Sequence, residues 1–176
     1  MIIDNLMSMC RDRFYKDICM NEDDDASELS HVLECFTSNN KRVLVFCLVK
    51  MGIDVLRKLL DNDDLKGCHL ILIYIKDITS FSRKHLRACT KFTYELHSAN
   101  FFKINPTAHE LVPAHRKISD DEKQDLIRTI KSLDRLPKIL KTDPISRWYR
   151  FLPGDVVEIT RPTPIGSYVT VYRYCV

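Results

Sequence analysis

Apolar residues follow three different rhythms along the chain. In the first, Ile3, Leu6, Met7, Cys10 and Phe14 recur at three- and four-residue steps, which predicts an amphipathic helix over 3–15. The acidic run NEDDDASELS comes next. Its carboxylates sit where a helix N-terminus favours negative charge, and Leu29, Val32, Leu33 and Phe36 then line one face, which predicts a second helix with a solvated acidic start.

The second rhythm is unbroken. RVLVFCLV (42–49) and HLILIYIK (69–76) are short apolar runs rich in β-branched and aromatic residues, the pattern of buried strands. Between them, GIDVLRKLLDNDD (52–64) places Ile53, Leu56, Leu59 and Leu60 on one side of a helix. SFSRKHLRACT (80–90) predicts a further helix with Ser80 as its cap. KFTYEL (91–96) and NFFKIN (100–105) predict weaker strands. The strand–helix–strand–helix–strand order predicts a mostly parallel α/β sheet with covered faces.

The third rhythm starts after Asn105. SDDEKQDLIRTIKSL (119–133) opens on a capping box, Ser119 with Glu122 three residues on, and Leu126, Ile127, Ile130 and Leu133 form its predicted buried stripe. Pro137 marks a break, Asp143-Pro144 starts a turn, and ISRWY reads as a helical turn. Pro153-Gly154 suits a type II turn. DVVEITR (155–161) and SYVTVYRYC (167–175) alternate as antiparallel strands do. The fold class is therefore α+β: an α/β part over 1–104 and a small α+β module over 105–176. The module is too short to bury much core alone and would gain by docking on the first part or on a partner.

Composition narrows the class. Of 176 residues, 45% are hydrophobic and 29% charged, ordinary for a folded domain or two small ones. No apolar run approaches the ~20 residues of a membrane helix, and the start, MIIDNLMSMCRDR, is a poor signal peptide. Seven cysteines without a C-x-x-C pair argue against a disulfide framework and a zinc knuckle, and for an intracellular, reducing compartment. Net charge is +3, with 15 basic and 15 acidic residues before residue 105 and 12 and 9 after it. Any contact with nucleic-acid phosphates must therefore be local.

The candidate chemistry is sparse. In NPTAHELVPAH (105–115), His109 and His115 flank Glu110 and Pro113. A zincin needs two His four apart on one helix. Six residues turn a helix through about 600°, and Pro113 interrupts it. The string reads better as an extended connector than as a metal site. Four scattered glycines exclude a phosphate loop, and G-x-S-x-G is absent. A Cys–His pair in space stays open, with nothing local marking one thiol as activated. A nuclease of the restriction-enzyme type needs acid-x-Lys on its second strand, whereas Lys76 here precedes Asp77. Nothing calls for a cofactor, a metal or a small-molecule substrate. One local basic cluster remains: Arg83, Lys84, His85 and Arg87, preceded by Thr79, Ser80 and Ser82. Hydroxyls and cations at a helix N-terminus suit phosphate contact; a solvated helix face is an equal alternative.

The C-terminal strings carry a resemblance. HELVPAH (109–115), LPKILKTDPISRWYRFLPGDVVEITRP (136–162) and YR (172–173) resemble, in order and nearly without gaps, the fifth subunit shared by the eukaryotic nuclear RNA polymerases and its shorter archaeal counterpart. CRDRFYKDIC and the stretch 41–86 resemble the N-terminal part of the eukaryotic family more loosely. The resemblance implies an N-terminal jaw domain (1–104) of nuclease-like topology without nuclease activity, lying beside downstream duplex DNA. It implies a C-terminal assembly domain (105–176) that docks on the largest polymerase subunit among other polymerase subunits. The chain would then be a non-catalytic subunit, sited in the nucleus, or in the cytoplasm or virion if the source is a large DNA virus. Thr79, Ser80, Ser82, Arg83 and Lys84 occupy the family's DNA-proximal segment. His109, Glu110, Pro113, His115, Asp143, Pro144, Pro153 and Gly154 become structural, and Arg147, Trp148 and Arg161 shape the partner surface.

The sequence also departs from the family pattern. The jaw is short, Arg150 stands where the family usually has Gly, Trp148 replaces a Tyr, and Gly166 is shifted by one. These mark a divergent member, from a reduced-genome eukaryote or a large DNA virus. The competing readings are a free-standing transcription adaptor and a nuclease.

Overall fold

The structure, a computed structural model, describes residues 1–21, 29–49 and 52–176. Contacts divide the chain into two compact units, Met1–Ile104 and Asn105–Val176.

In the first unit, α1 (Ile2–Asp12) leads into strands β1 (Lys16–Met20), β2 (Leu29–Phe36) and β3 (Arg42–Leu48). Helix α2 (Ile53–Asp61), β4 (His69–Tyr74), α3 (Ser80–Ala88) and β5 (Thr93–Ser98) complete it, with a 3-10 turn at Ala99–Lys103. The five strands lie in sequence order. β1, β2 and β3 pair antiparallel, while β3, β4 and β5 pair parallel. The sheet is thus half parallel rather than mostly parallel, because the segment read as a second helix is the hairpin strand β2. The acidic start assigned to that helix lies mostly at 22–28, outside the described residues.

Alternation splits this unit's core into two layers. Leu44, Phe46, Leu48, Leu70 and Leu72 point to one face and pack with Val55, Leu56 and Leu59 of α2 and Leu86 of α3. Ile53, assigned to that buried side, is 45% exposed, and Val55 takes its place. The odd-numbered positions of β4 face the other way, towards α1, whose Leu6, Met9 and Cys10 are buried. Asn5 of α1 donates to the Phe102 carbonyl at 2.9 Å, which ties the helix to the Ala99–Lys103 turn. That turn replaces the strand predicted over 100–105: Ser98 accepts from the Asn100 N–H and starts a helical turn instead. Phe14, counted in the α1 stripe, lies beyond the helix at φ 57° and is exposed.

The second unit begins with β6 (Ala114–Lys117) and α4 (Asp120–Ile130), followed by β7 (Lys138–Ile139) and α5 (Pro144–Tyr149). It ends on the hairpin β8 (Val156–Pro162) and β9 (Tyr168–Cys175). The sheet order is β6-β8-β9-β7, antiparallel except for the short β7–β9 pairing. Ile139, Ile145, Phe151, Val157, Ile159 and Cys175 form its core. α4 carries the complete capping box, Ser119 with Glu122. Its apolar stripe is only half-buried, however, and no residue of α4 is fully covered. Polar ties hold it instead. Arg116 of β6 bridges Glu122 at 2.9 Å and Glu158 of β8 at 2.8 Å, and Lys123 donates to the Gly154 carbonyl at 2.9 Å. Arg116 and the Ser119 backbone amide draw the exposed Glu122 carboxyl down to about 2.

Candidate DNA-facing and partner-facing surfaces

The basic cluster of the first unit is built by the cap of α3. Thr79 is extended (φ −64°, ψ 147°), and its Oγ1 accepts the Ser82 N–H at 3.2 Å. The cap is therefore Thr79, and Ser80 is the first helical residue. A Thr caps well because its hydroxyl meets one of the four N–H groups that a helix start leaves unpaired. Thr79 also donates to Ser82 Oγ at 2.9 Å, and Ser82 is fully buried. That hydroxyl works inside the cap. Thr79, Ser80, Arg83 and Lys84 are exposed. The cluster thus offers hydroxyls, two cations and a helix start to solvent. Beside them Phe81 is 48% exposed and lies against His85, ring centroids 3.9 Å apart. This arrangement fits an anion.

In the second unit, HELVPAH folds as a turn running into β6. His109 Nδ1 accepts the Leu111 N–H at 3.1 Å, and its carbonyl accepts the Val112 N–H at 2.9 Å. His115 Nδ1 donates to the Pro113 carbonyl at 2.7 Å. Each His is thus engaged with local backbone, and Glu110 is exposed. Among the described residues no three His, Cys, Asp or Glu side chains group as metal ligands.

The 136–162 segment is shaped by local chemistry. Asp143 caps α5, accepting the Ile145 N–H at 2.8 Å, and Pro144 takes the first helical position, where its missing N–H costs nothing. α5 ends on Arg150 in the left-handed region (φ 60°, ψ 45°), with the Phe151 N–H reaching back to the Ser146 carbonyl at 2.8 Å. Trp148, read as a partner-surface residue, is fully buried in the core, so its ring is not exposed to a partner. Arg147 is half-buried. Pro153 and Gly154 form the centre of a turn closed by the Asp155 N–H to the Leu152 carbonyl at 2.9 Å, with Gly154 at φ 98°, as a type II turn requires. Arg161 is exposed at the far end of β8.

Arg161, Arg173 and His115 come together over an apolar groove of about 210 Å³ floored by Ile139, Ile145 and Ile159. Burial pushes the His115 pKa down. The Pro113 carbonyl and Asp143 oppose that shift, and the two guanidiniums add to it. The sequence singles out Arg161 and His115 separately; their meeting, and the part of Arg173, emerge only from the sheet register.

A buried polar cluster carries no sequence motif. On the α1 face of the first sheet, Glu95 of β5 accepts both Arg13 guanidinium nitrogens, at 3.1 and 2.9 Å. It also accepts from His69 at 2.9 Å and His97 at 3.0 Å. Arg13 and both His are almost wholly buried, and the Glu95 side chain is 17% exposed. Burial alone would raise the Glu95 carboxyl; the Arg13 charge and the four hydrogen bonds hold it well below the usual carboxylate range. The one available signal is Glu95 and His97 at i, i+2 on one face of β5, the face that Thr93 shares with its pairing partner His69 one strand over.

Comparison with known proteins gives these surfaces a context. The family model described as RNA polymerase Rpb5, C-terminal domain, matches residues 104–175, which takes in the whole second unit but its last residue. Over 133 residues the chain is 33% identical to the DNA-directed RNA polymerases I, II, and III subunit rpabc1 of Dictyostelium discoideum. That alignment spans 72% of this chain and 67% of the relative, so it reaches well into the first unit. It is 35% identical over 82 residues to the DNA-directed RNA polymerase subunit Rpo5 of Sulfurisphaera tokodaii, covering 46% of this chain and 98% of the relative. The Rpo5 of Thermococcus onnurineus matches at 42% over 69 residues, 39% of this chain and 84% of its own length. The short archaeal relatives align along most of their length, and the longer eukaryotic one along two thirds of its own. By these matches, the chain belongs to the family of the fifth subunit of DNA-directed RNA polymerases, Rpb5 in eukaryotes and Rpo5 in archaea.

Proposed function

We propose that this protein is a non-catalytic subunit of a multisubunit DNA-directed RNA polymerase. The second unit, 105–176, is its assembly domain and docks on the largest subunit. The first, 1–104, is a jaw domain that lies beside downstream duplex DNA. The observation that carries this reading is the rpabc1 alignment, which extends through most of the chain rather than stopping at the C-terminal unit.

The physical chemistry of the two surfaces supports the division of labour. Thr79, Ser80, Arg83 and Lys84 offer point charges and a helix start with no groups arranged to read base edges. Such a surface suits sequence-independent phosphate contact. On the second unit, Arg147 and Arg161 bring planar multi-donor groups beside a small apolar core, a combination suited to a protein interface. Where the polymerase is a nuclear one, the protein is nuclear.

The test is purification of the tagged full chain from its source cells, with mass spectrometry of what comes with it. Recovery with the two largest polymerase subunits supports the reading. Recovery of the chain alone, in a preparation where polymerase is abundant, overturns it.

A further inference from the structure

The groove of the second unit has a composition that specifies an occupant. Its floor is apolar, from Ile139, Ile145 and Ile159. Two guanidiniums, Arg161 and Arg173, reach it from neighbouring strands: β8 and β9 pair with Arg161 beside Val169 and Arg173 beside Val157. Arg161 is exposed, and Arg173 gives one long bond, 3.4 Å, to the Lys138 carbonyl. Among the described residues one carboxylate lines the groove, Asp143, and it is committed to the α5 cap. At one mouth Leu111 stands 83% exposed beside Pro113. An apolar floor with two cations, its carboxylate already engaged, is complementary to a chain segment that pairs an apolar side chain with an Asp or Glu. A phosphate backbone would gain from the cations and nothing from the floor.

We propose that this groove holds a segment of a neighbouring polymerase chain, with an apolar side chain on the isoleucine floor and an adjacent carboxylate between Arg161 and Arg173. This rests on the polymerase-subunit reading and names the chemistry of its docking contact. Arginine favours this role because its planar fork matches a carboxylate in two parallel hydrogen bonds. Closing the groove removes water around those bonds, and truncating or reversing one partner of a buried charged pair is then costly.

The experiment places a photo-crosslinking benzophenone amino acid at Leu111 of the full chain and purifies the assembled polymerase through this chain. Presence of the large subunits is scored first, by gel. The crosslinked peptide is then mapped. The proposal expects a peptide from a polymerase subunit with an Asp or Glu next to apolar residues. It expects the double variant Arg161→Glu, Arg173→Glu to lower both crosslink yield and salt-resistant retention by about tenfold or more. Changing the mapped acid to Lys in the partner should restore both, with the variant's melting temperature unchanged throughout. A mapped peptide without an acid, a crosslink to nucleic acid, or retention unmoved by the double variant each overturns it while leaving the subunit reading intact. Absence of the large subunits at the first step overturns both.

Discussion

Arg150 and Glu95 stand at opposite ends of how well a single residue fits its surroundings. The end of α5 needs a left-handed residue, and the chain supplies Arg rather than Gly at φ 60°. A side chain there crowds the following carbonyl, a strain of about 1 kcal/mol. Arg150→Gly should therefore raise the stability of the second unit by roughly that amount, read as a higher urea midpoint. An unchanged or lower midpoint would mean that the Arg side chain's own contacts outweigh the strain. Glu95 is the opposite case, a charge the fold has fully matched. Glu95→Gln leaves the Arg13 guanidinium buried without its counter-charge and should cost roughly 3–5 kcal/mol. The same pair sets an acid limit. A carboxyl whose folded pKa is depressed contributes stability above its unfolded value, about 4.3, and loses it as pH falls through the folded value. Melting temperature of the wild type should thus fall steeply below about pH 4.3, and that of Glu95→Gln less so. Parallel curves for the two proteins would remove Glu95 from the account.

Among the elements, the ones legible in the sequence are those whose pattern has one cause. Within RVLVFCLV and HLILIYIK, positions 43–48 and 70–74 are covered on both faces and are all apolar, so the strands read directly. The Ser119 box and the Pro153-Gly154 turn are local devices and need no tertiary information. β2 is hidden for a physical reason. Its pairing with β3 slips between His31 and Leu33, so Val32 is an extra residue in the ladder. The bulge moves the odd positions from the α2 face, where His31 meets Phe46, to the α1 face, where Leu33 and Cys35 are buried. Apolar residues at 29, 32, 33 and 36 then imitate a helical stripe. The groove and the Glu95 cluster are not legible because both depend on register between strands. At this scale Ser119→Ala should destabilise α4 by about 1 kcal/mol, which hydrogen exchange of the α4 amides measures. The helix buries no residue fully, so its cap carries an unusual share of its stability; exchange at the wild-type rate would refute that. Changing Arg83 and Lys84 together to Ala should leave folding intact. It should also lower the salt slope of downstream-DNA binding by the assembled enzyme by about 2. An unchanged slope would take DNA contact away from α3.

For the whole molecule, the two units pose different demands on the chain. The first has a two-layer core of its own and a buried ion cluster. The second has a small core, a half-covered α4 and exposed Leu111, Leu140, Leu152, Ile165 and Tyr168. Apolar side chains left open in this way suit a module whose stability is completed by assembly. Family similarity follows the same division, with the family model over the second unit and the rpabc1 alignment reaching into the first. The most direct measurement is stoichiometry. The tagged chain is expressed at its native level, its complex is washed in high salt, and each subunit is quantified against isotope-labelled peptides. The account requires one copy of this chain for each copy of the largest polymerase subunit. A tagged chain that elutes free, or at a small fraction of the largest subunit, contradicts it.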